Sequence, residues 1–327
     1  MTGLDLSQKH NKMKKLKTII ALAGLLITSV AYSQQEPMYG QYIFNNSVLN
    51  PAQAGAENIS QWGVLSRFQF VGIDGAPNTN SAYVNLNLPG QLGLAIGLYQ
   101  DKLGIEEHYQ LQADLAYHAR LSDRWRLSAG IRAMASNHNF KFRELALHHP
   151  DDPYFAENIS SGILLNAGAG LLLSSQRSFF GVSMPRVFGK DMQIYDPGDY
   201  LFFNKKNRHL FAYAGTNIHM AQSFVFVPST LFKYADDAPV QLDVNAIFVY
   251  DDAFSFGPLI RSNLTDGWVD AVGFLLGLKL GENWQFGYVF EYPTNNLNLV
   301  TKQTHEISLR FIWGIQRDRF RSPRYFL

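Results

Sequence analysis

The chain of 327 residues contains no cysteine, which excludes disulfide bonds, cysteine nucleophiles and cysteine-based metal sites. Charged residues are scarce, at 17%, and they nearly balance, with a net charge of +1. This balance disfavours a nucleic-acid-binding protein, which needs a basic face. A mean hydropathy close to zero disfavours a bundle of membrane helices, which would be far more apolar.

A single long apolar run lies near the amino terminus. Three lysines precede Thr18–Tyr32, and the run ends in the small-x-small sequence Ala31-Tyr32-Ser33. A basic region, an apolar stretch and a small-residue cleavage site are typical of a secretory signal peptide. We expect cleavage after Ser33, and Met13 is a more ordinary start than Met1. The alternative is a membrane anchor, but the run is shorter than the ~20 residues that a helical span needs.

Beyond Ser33 the dominant pattern is an alternation of apolar and polar residues, which is typical of β-strands with one apolar face. In Tyr109–Arg120, for example, tyrosine, leucine and alanine alternate with glutamine, aspartate and histidine. No amphipathic helical pattern competes with it. About fourteen such runs occur, near 61–71, 78–89, 92–101, 107–121, 124–139, 161–174, 177–185, 207–219, 222–234, 239–250, 253–263, 268–280, 284–292 and 304–316.

This pattern predicts an all-β fold, a transmembrane antiparallel β-barrel of about 14 strands. Strands of such barrels need about 9–11 residues to cross the membrane, with short turns at one end and long loops at the other. Short links at 89–91 and 122–123 fit periplasmic turns, and long links near 140–160 and 186–206 fit outer loops. A soluble β-sandwich or barrel is the alternative, since its strands also alternate apolar and polar residues. Aromatic residues near the strand ends favour a membrane interface, namely Tyr109, Tyr117, Trp125, Trp268, Trp284, Tyr292 and Trp313.

No pattern in the chain predicts catalysis, and we expect no catalytic residues, no cofactor and no metal. The pair His148-His149 precedes Asp151-Asp152, but adjacent histidines rarely face one ion. Asp114, His118 and Ser128 could form a Ser/His/Asp set, although no nucleophile elbow accompanies them and hydrogen bonds in a barrel lumen explain them as well.

Several charged residues fall on the polar faces of the predicted strands. Arg120, Arg126 and Arg132 would face Asp114 and Asp243, where they could line a channel or form ion pairs inside the barrel. Pairing is favoured, because an unpaired charge at membrane depth is costly.

Three motifs resemble the PorP/SprF family of outer-membrane proteins, which belongs to the type IX secretion and gliding machinery. The segment QYIFNNSVLNPAQAG carries the first motif in Gln41, Tyr42, Phe44, Asn45, Asn50, Pro51, Ala52, Ala54 and Gly55. The run RFQFVGIDGAP carries the second in Arg67, Gln69, Gly72, Gly75, Ala76 and Pro77, with Phe70 where the family has tryptophan. The ending SPRYFL carries the third in Ser322, Pro323, Arg324, Tyr325 and Phe326.

The resemblance implies a non-enzymatic barrel in the outer membrane of a Gram-negative bacterium. It implies a partner that is either a large secreted surface adhesin, held through its carboxy-terminal domain, or the periplasmic secretion-ring proteins and a peptidoglycan-binding lipoprotein. The motif residues are then expected to bind the partner, to plug the barrel, or both. The alternative is a passive diffusion porin or small-solute channel, which needs an open lumen, whereas bulky inward tyrosine, phenylalanine and arginine side chains indicate obstruction.

The expected organisation follows from these motifs. We expect a signal peptide over 1–33, a motif and plug segment over 34–60, an outer-membrane barrel over 61–316 and a tail over 317–327. The plug segment is expected to fold into the lumen or over the periplasmic mouth. Besides the protein partner, the barrel is expected to contact membrane lipid and no nucleic acid.

Overall fold

The structure is a computed structural model that describes residues 46–144, 157–188, 191–195, 200–205, 208–236, 238–265, 267–299, 301 and 303–314. The chain divides into two units, 1–33 and 34–327, and every described residue belongs to the second. Within the described ranges, no helix has both the length and the apolar character that a helical membrane span requires.

The described residues form eighteen strands and several short 3-10 helices. The first strands are β1 Ser60–Phe68, β2 Asn78–Leu88, β3 Leu92–Leu103, β4 Glu106–Arg120 and β5 Trp125–Phe140. The next are β6 Ile159–Ser160, β7 Leu164–Ser175, β8 Ser178–Met184, β9 Asp191–Tyr195, β10 Tyr200–Lys205, β11 His209–Thr216 and β12 Ile218–Ala221. The last are β13 Phe224–Ala235, β14 Gln241–Tyr250, β15 Phe254–Asn263, β16 Trp268–Leu280, β17 Trp284–Pro293 and β18 Thr304–Trp313. The 3-10 helices are Asn46–Val48, Pro51–Gln53, Phe142–Glu144 and Asn296–Leu299.

Fourteen of these strands close into an antiparallel barrel, namely β1–β5, β7, β8, β11 and β13–β18. The first and last strands close it, with Ser60 opposite Trp313 and Phe68 opposite His305. The short strand β6 pairs with β5, β12 pairs with β13, and β9 and β10 form a separate hairpin. The predicted all-β barrel of about 14 strands is therefore confirmed.

The two predicted outer loops are less irregular than expected. The segment near 140–160 contains the helix at 142–144 and β6, and the segment near 186–206 contains the β9–β10 hairpin. These elements are short, with β6 spanning only two residues. A period-two alternation needs a longer run before it stands out from background, which is why the sequence pattern missed them.

Along β4 the barrel is polar inside and apolar outside. On β4 the inward Gln112 and Asp114 are 2% and 1% exposed, whereas the outward Leu111 and Leu115 are 47% and 46% exposed. A soluble sheet buries its apolar face, so this arrangement is the reverse of a soluble sandwich and is typical of a transmembrane barrel. The alternation seen in the sequence thus marks lumen-facing and membrane-facing positions.

One side of the lumen is apolar rather than polar. Strands β13–β17 direct buried aliphatic side chains inward, namely Val225, Val227, Leu231, Ile247, Val249, Leu259, Leu275 and Val289. Leu49, Ala52 and Ala56 from the segment before β1 belong to the same apolar cluster. The barrel therefore encloses a packed core on this side, and the segment before β1 is part of that core.

The two ends of the barrel differ in their connections. We call the end where β1 begins and β18 ends the short-turn end, because its links are 89–91, 121–124, 176–177, 222–223, 251–253 and 281–283. The opposite, long-loop end has longer links after β1, β5, β8 and β17 and shorter links after β3, β13 and β15. Outward aromatic rings cluster at the short-turn end, where the ring centroids of Trp284 lie 5.8 Å from Trp62 and 4.8 Å from Phe311. Such a cluster is typical of a membrane interface.

Candidate functional site: the lumenal plug and the second-motif loop

The segment 46–59, which we call the plug, lies in the barrel lumen and contains the described part of the first motif. It contains two 3-10 turns, Asn46–Val48 and Pro51–Gln53, separated by Leu49 and Asn50. The Asn50 backbone is extended, with φ −142° and ψ 118°, and its side-chain Oδ1 accepts a hydrogen bond from the amide of Ala52 at 2.8 Å. Pro51 follows in the first turn, where its missing N–H costs nothing. Asn-Pro thus begins the turn by asparagine capping.

The side-chain nitrogen of Asn50 attaches the plug to the barrel wall. Its Nδ2 donates to the carbonyl oxygen of Leu171 at 2.9 Å and lies 3.0 Å from the hydroxyl of Tyr213. Gln53 Nε2 donates to the same hydroxyl at 2.7 Å. Asn50 is fully buried. Since a buried amide without partners is costly, these contacts fix the position of the motif relative to β7 and β11.

A row of small residues on the inner wall receives the plug. Cross-strand pairing aligns the members of this row on β3, β4, β5, β7 and β8, namely Gly93, Ala116, Gly130, Gly170 and Ser183. A Cβ at Gly93 would collide with the carbonyl oxygen of Ala54, and a Cβ at Gly130 with the backbone of Pro51 and Ala52. Glycine in a strand often marks such a close approach of another backbone. The wall and the plug are therefore complementary in shape.

Two arginines bind the backbone of the plug. Arg132 forms a bidentate ion pair with Asp114, at 2.7 and 2.8 Å, and donates to the carbonyl oxygens of Ser47 and of Val48, the latter at 2.9 Å. Because the carboxylate fixes the guanidinium, the remaining donors are held in position for the plug.

The second arginine acts at the other end of the plug. Arg126 donates to Asn58 Oδ1 at 2.7 Å and to the carbonyl oxygen of Ala56. Of the three arginines singled out in the sequence, Arg126 and Arg132 are buried in the lumen and Arg120 is exposed. Asp243 does not pair with any of these three arginines. It forms ion pairs with Lys233 at 2.6 Å and with Arg261 at 3.2 Å.

Neutral side chains complete the attachment. Asn85 Oδ1 accepts from the amide of Gly55 at 2.6 Å, and its Nδ2 donates to the carbonyl oxygen of Gln53 at 3.4 Å. His118 Nε2 lies 2.8 Å from the carbonyl oxygen of Ala54, and Nδ1 lies 2.7 Å from Ser128 Oγ. A carbonyl only accepts, so Nε2 carries the proton and Nδ1 accepts from the serine hydroxyl. The plug is thus hydrogen-bonded to β2, β4 and β5, and it lies directly against Gly93 of β3.

The Ser/His/Asp set considered from the sequence has a different arrangement. His118 and Ser128 are in contact, but the remaining histidine nitrogen bonds to Ala54 and the Asp114 carboxylate bonds to Arg132. The histidine is therefore not oriented by the aspartate, as a catalytic triad requires. Among the described residues no group of three or more His, Asp or Glu side chains could hold a metal ion. His148, His149, Asp151 and Asp152 lie outside those residues.

The second motif begins with a buried charge. Arg67 on β1 is 1% exposed and contacts Glu306 on β18 and Glu291 on β17, the latter at 2.9 Å. Glu291 also contacts Arg261 at 3.3 Å, which extends the network to Asp243 and Lys233. The network joins β1, β13, β14, β15, β17 and β18 and balances three cationic with three anionic side chains. Such pairing is what allows charge to be buried inside the barrel.

The rest of the second motif forms a loop at the long-loop end, residues 69–77, which we call the motif loop. The amide of Gln69 donates to the carbonyl oxygen of Pro77 at 2.9 Å and closes its base. Gly72 and Gly75 have φ of 103° and 73°, which side chains rarely adopt. The carbonyl oxygen of Gly75 accepts from the amide of Gly104 in the β3–β4 turn at 2.8 Å. These contacts hold the loop in one shape while most of it stays exposed.

The described motif residues thus divide among three places. Asn50, Pro51, Ala52 and Gly55 lie in the plug, and Arg67 lies in the lumenal ion network. Gln69, Gly72, Gly75 and Pro77 lie in the motif loop at the other end of β1. The remaining motif residues lie outside the described residues, namely Gln41, Tyr42, Phe44, Asn45, Pro323, Arg324, Tyr325 and Phe326.

The sequence reasoning missed several plug-binding residues. Tyr213 and Asn85 carry no motif, and they are 163 and 30 residues from their plug partners. Gly170, which lies against the Asn50 side chain, belongs to no motif either. The available signal was the placement of glycine, alanine and serine at inward positions of successive strands, which identifies a wall that something approaches closely.

Comparisons with known proteins agree with the fold. A family model described as type IX secretion system membrane protein PorP/SprF matches residues 31–311. No curated protein matches the chain. The solved structure of the CymD monoaromatic hydrocarbon channel aligns with a TM-score of 0.52 at 10% identity, covering 86% of this chain and 94% of that one.

Two further solved structures align less closely. The Ralstonia pickettii toluene transporter TbuX has a TM-score of 0.47 at 10% identity, covering 83% of this chain and 92% of that one. A Pseudomonas aeruginosa FadL homologue has a TM-score of 0.46 at 10% identity, covering 88% and 97%. At such low identity the first likeness shows a shared barrel fold and nothing about function.

Proposed function

The chain belongs to the PorP/SprF family of type IX secretion system membrane proteins, and from that premise we propose that it is a non-enzymatic barrel that docks a secreted surface protein at the outer membrane. In this proposal the chain is exported by a signal peptide over 1–33 and inserts into the outer membrane. The barrel holds the partner, and no chemical step takes place in it.

The attachment of the plug is the observation that supports this proposal best. Hydrogen bonds from Asn50, Gln53 and Gly55 join the plug to opposite parts of the wall. At Gly93 and Gly130 the plug backbone lies so close to the wall that no side chain would fit between them. A diffusion porin needs a water-filled lumen, whereas a segment fixed inside the lumen makes the barrel a rigid support for a bound protein.

The orientation of the barrel follows from its connections. Outer-membrane barrels have short periplasmic turns and longer extracellular loops. We therefore place the motif loop on the cell surface and both barrel termini on the periplasmic side. The plug then enters from the periplasmic side, as expected for a segment that directly precedes β1.

The motif loop is our candidate for the partner-binding surface. It presents Val71 and Ile73, which are 38% and 37% exposed, at the long-loop end of the barrel. Backbone hydrogen bonds to Gln303 and Gly104 hold this loop in position. A shaped loop with apolar tips suits a protein surface better than a solute. On the cell surface the fitting partner is a large adhesin held through its carboxy-terminal domain.

Affinity purification of the tagged chain from gently solubilised outer membranes, followed by mass spectrometry, tests the proposal. We expect one large surface protein to be recovered and to be lost from the variant Val71→Ser/Ile73→Ser. Leu299→Ser is the matched control, since Leu299 is 82% exposed at the same end. Recovery of secretion-ring proteins and a peptidoglycan-binding lipoprotein, independent of the motif loop, would instead assign the barrel to the core machine. Recovery of neither, with steady single-channel conductance, would favour the porin.

A further inference from the structure

The membrane-facing side of β1–β5 contains a groove that the proposed docking function does not use. Its volume is about 620 Å³, within the range of about 300–1,000 Å³ that is usual for small-molecule sites. Val64, Leu98 and Leu111 form its walls, and all three face outward and are 43–57% exposed. The groove is therefore open to the membrane.

The groove exists because two small residues interrupt an apolar row. Cross-strand pairing places Val64, Ala82, Leu98, Leu111 and Ala135 side by side on β1, β2, β3, β4 and β5. Ala82 and Ala135 leave the backbone uncovered between the larger side chains. The depression lies on a surface that is in contact with hydrocarbon, so an acyl chain is the group available to fill it.

The next row toward the long-loop end is polar, although it also faces outward. It aligns Ser66, Asn80, Gln100, Tyr109 and Asn137 on the same five strands. Ser66 Oγ donates to Asn80 Oδ1 at 2.8 Å, and Gln100 Nε2 donates to the Tyr109 hydroxyl at 3.2 Å. All five residues line the groove. Uncharged amides and hydroxyls of this kind are suited to hydrogen-bonding sugar hydroxyls and amide linkages.

Two lysines lie beyond the polar row. Lys141 Nζ lies 2.7 Å from a Glu107 oxygen and Lys102 Nζ 3.7 Å from the same oxygen, so one carboxylate holds both ammonium groups. Lys141 also contacts Glu144 at 3.6 Å. The hydrogen bond to Glu107 raises the pKa of Lys141, which keeps it charged. Lys102 is exposed and Lys141 is partly exposed, so both ammonium groups can reach a phosphate at this level while they stay paired with Glu107.

We propose that this groove binds the lipid A part of a lipopolysaccharide molecule from the outer leaflet. One acyl chain lies beside Leu111 and over Ala135, the glucosamine unit contacts the polar row, and a phosphate lies near Lys102 and Lys141. The order of apolar row, amide row and lysines follows the order of acyl chain, amide-linked sugar and phosphate in this lipid. The assignment rests on the proposed orientation, with the long-loop end in the outer leaflet.

Native mass spectrometry of the full-length barrel in mild detergent tests this, with lipid A and phosphatidylethanolamine as competing probes. We expect one lipid A to be retained in preference to the phospholipid. Ala135→Leu should weaken its retention about tenfold, because leucine fills the space of the acyl chain. Ala133→Leu is the matched control, since Ala133 lies on the same strand and face, one row away, and does not line the groove.

A second pair of variants separates the head group from the chain. Gln100→Leu/Asn137→Leu keeps the groove and removes its amides, so we expect lipid A retention to fall while phosphatidylethanolamine retention is unchanged. The proposal would be overturned if Ala135→Leu and Ala133→Leu retained lipid A equally well, or if the barrel retained phosphatidylethanolamine in preference to lipid A. Neither result depends on capture of a protein partner, so the docking function is judged separately.

Discussion

The amide oxygen of Asn50 occupies the space that a side chain at Gly170 would need. The two residues are 120 positions apart, yet the capping asparagine of the plug fits only against a strand residue without a Cβ. Gly93 and Gly130 bear the same relation to Ala54 and to the Pro51–Ala52 backbone. The wall is therefore shaped for the plug, and the plug is an integral part of the folded barrel.

Valine at Gly130 should displace the plug. Its Cβ would meet the backbone of Pro51 and Ala52, which cannot rotate away as a flexible side chain can. We expect the free energy of unfolding to fall by about 1–3 kcal/mol, as is typical of overpacking, and the plug to become exposed. In a Ser47→Cys background, where residue 47 is 2% exposed, a maleimide should react slowly with the parent and rapidly with Gly130→Val.

Ala129→Val is the control for this experiment, because residue 129 is the next residue on β5 and faces the membrane. It adds apolar bulk without touching the plug, so maleimide reactivity should equal that of the parent. Equal protection of residue 47 in Gly130→Val and in the parent would show that the plug does not depend on the small-residue row.

Replacement of Asn50 by alanine should destabilise the barrel even though it removes only one side chain. The change leaves the Tyr213 hydroxyl and the Ala52 amide without the Asn50 side chain. The expected loss is about 1–3 kcal/mol in the free energy of unfolding, measured by urea unfolding in detergent micelles. Asn298→Ala, at an exposed position of the 3-10 helix Asn296–Leu299, should leave the midpoint unchanged, and an equal midpoint for Asn50→Ala would refute the capping role.

The Arg132–Asp114 pair should show strong coupling. Arg132→Met removes two donors to the plug and leaves the Asp114 carboxylate buried without its partner. Breaking a buried ion pair from one side costs about 3–5 kcal/mol. The double variant Arg132→Met/Asp114→Leu should lose less unfolding free energy than the two single variants lose together. A double-mutant cycle on urea unfolding measures the difference. Additive losses would mean that the two residues act independently.

The sequence predicted the fold well because lipid on one side of a strand requires an apolar residue at every second position. That is why β4 and β5 were recognised with ends within two residues of those observed. The apolar lumen of β13–β17 was not foreseen, since Ile247 and Val249 have the same character as the membrane-facing Phe248 between them. The site was harder still. Asn50-Pro51 identified a turn, but its contacts with Tyr213 and Gly170 join residues whose proximity only the closed barrel establishes.

The absence of native cysteine makes the proposed orientation directly testable. Asp74 lies in the motif loop and Asp123 in a turn at the opposite end, and both are exposed. Single variants Asp74→Cys and Asp123→Cys should react equally with a maleimide in detergent, where both ends are accessible. On intact cells a membrane-impermeant maleimide should label only Asp74→Cys, because the long-loop end faces outward. Labelling of Asp123→Cys alone would mean that the barrel has the opposite orientation. The motif loop would then lie in the periplasm, where a secretion-ring protein rather than a surface adhesin could bind it.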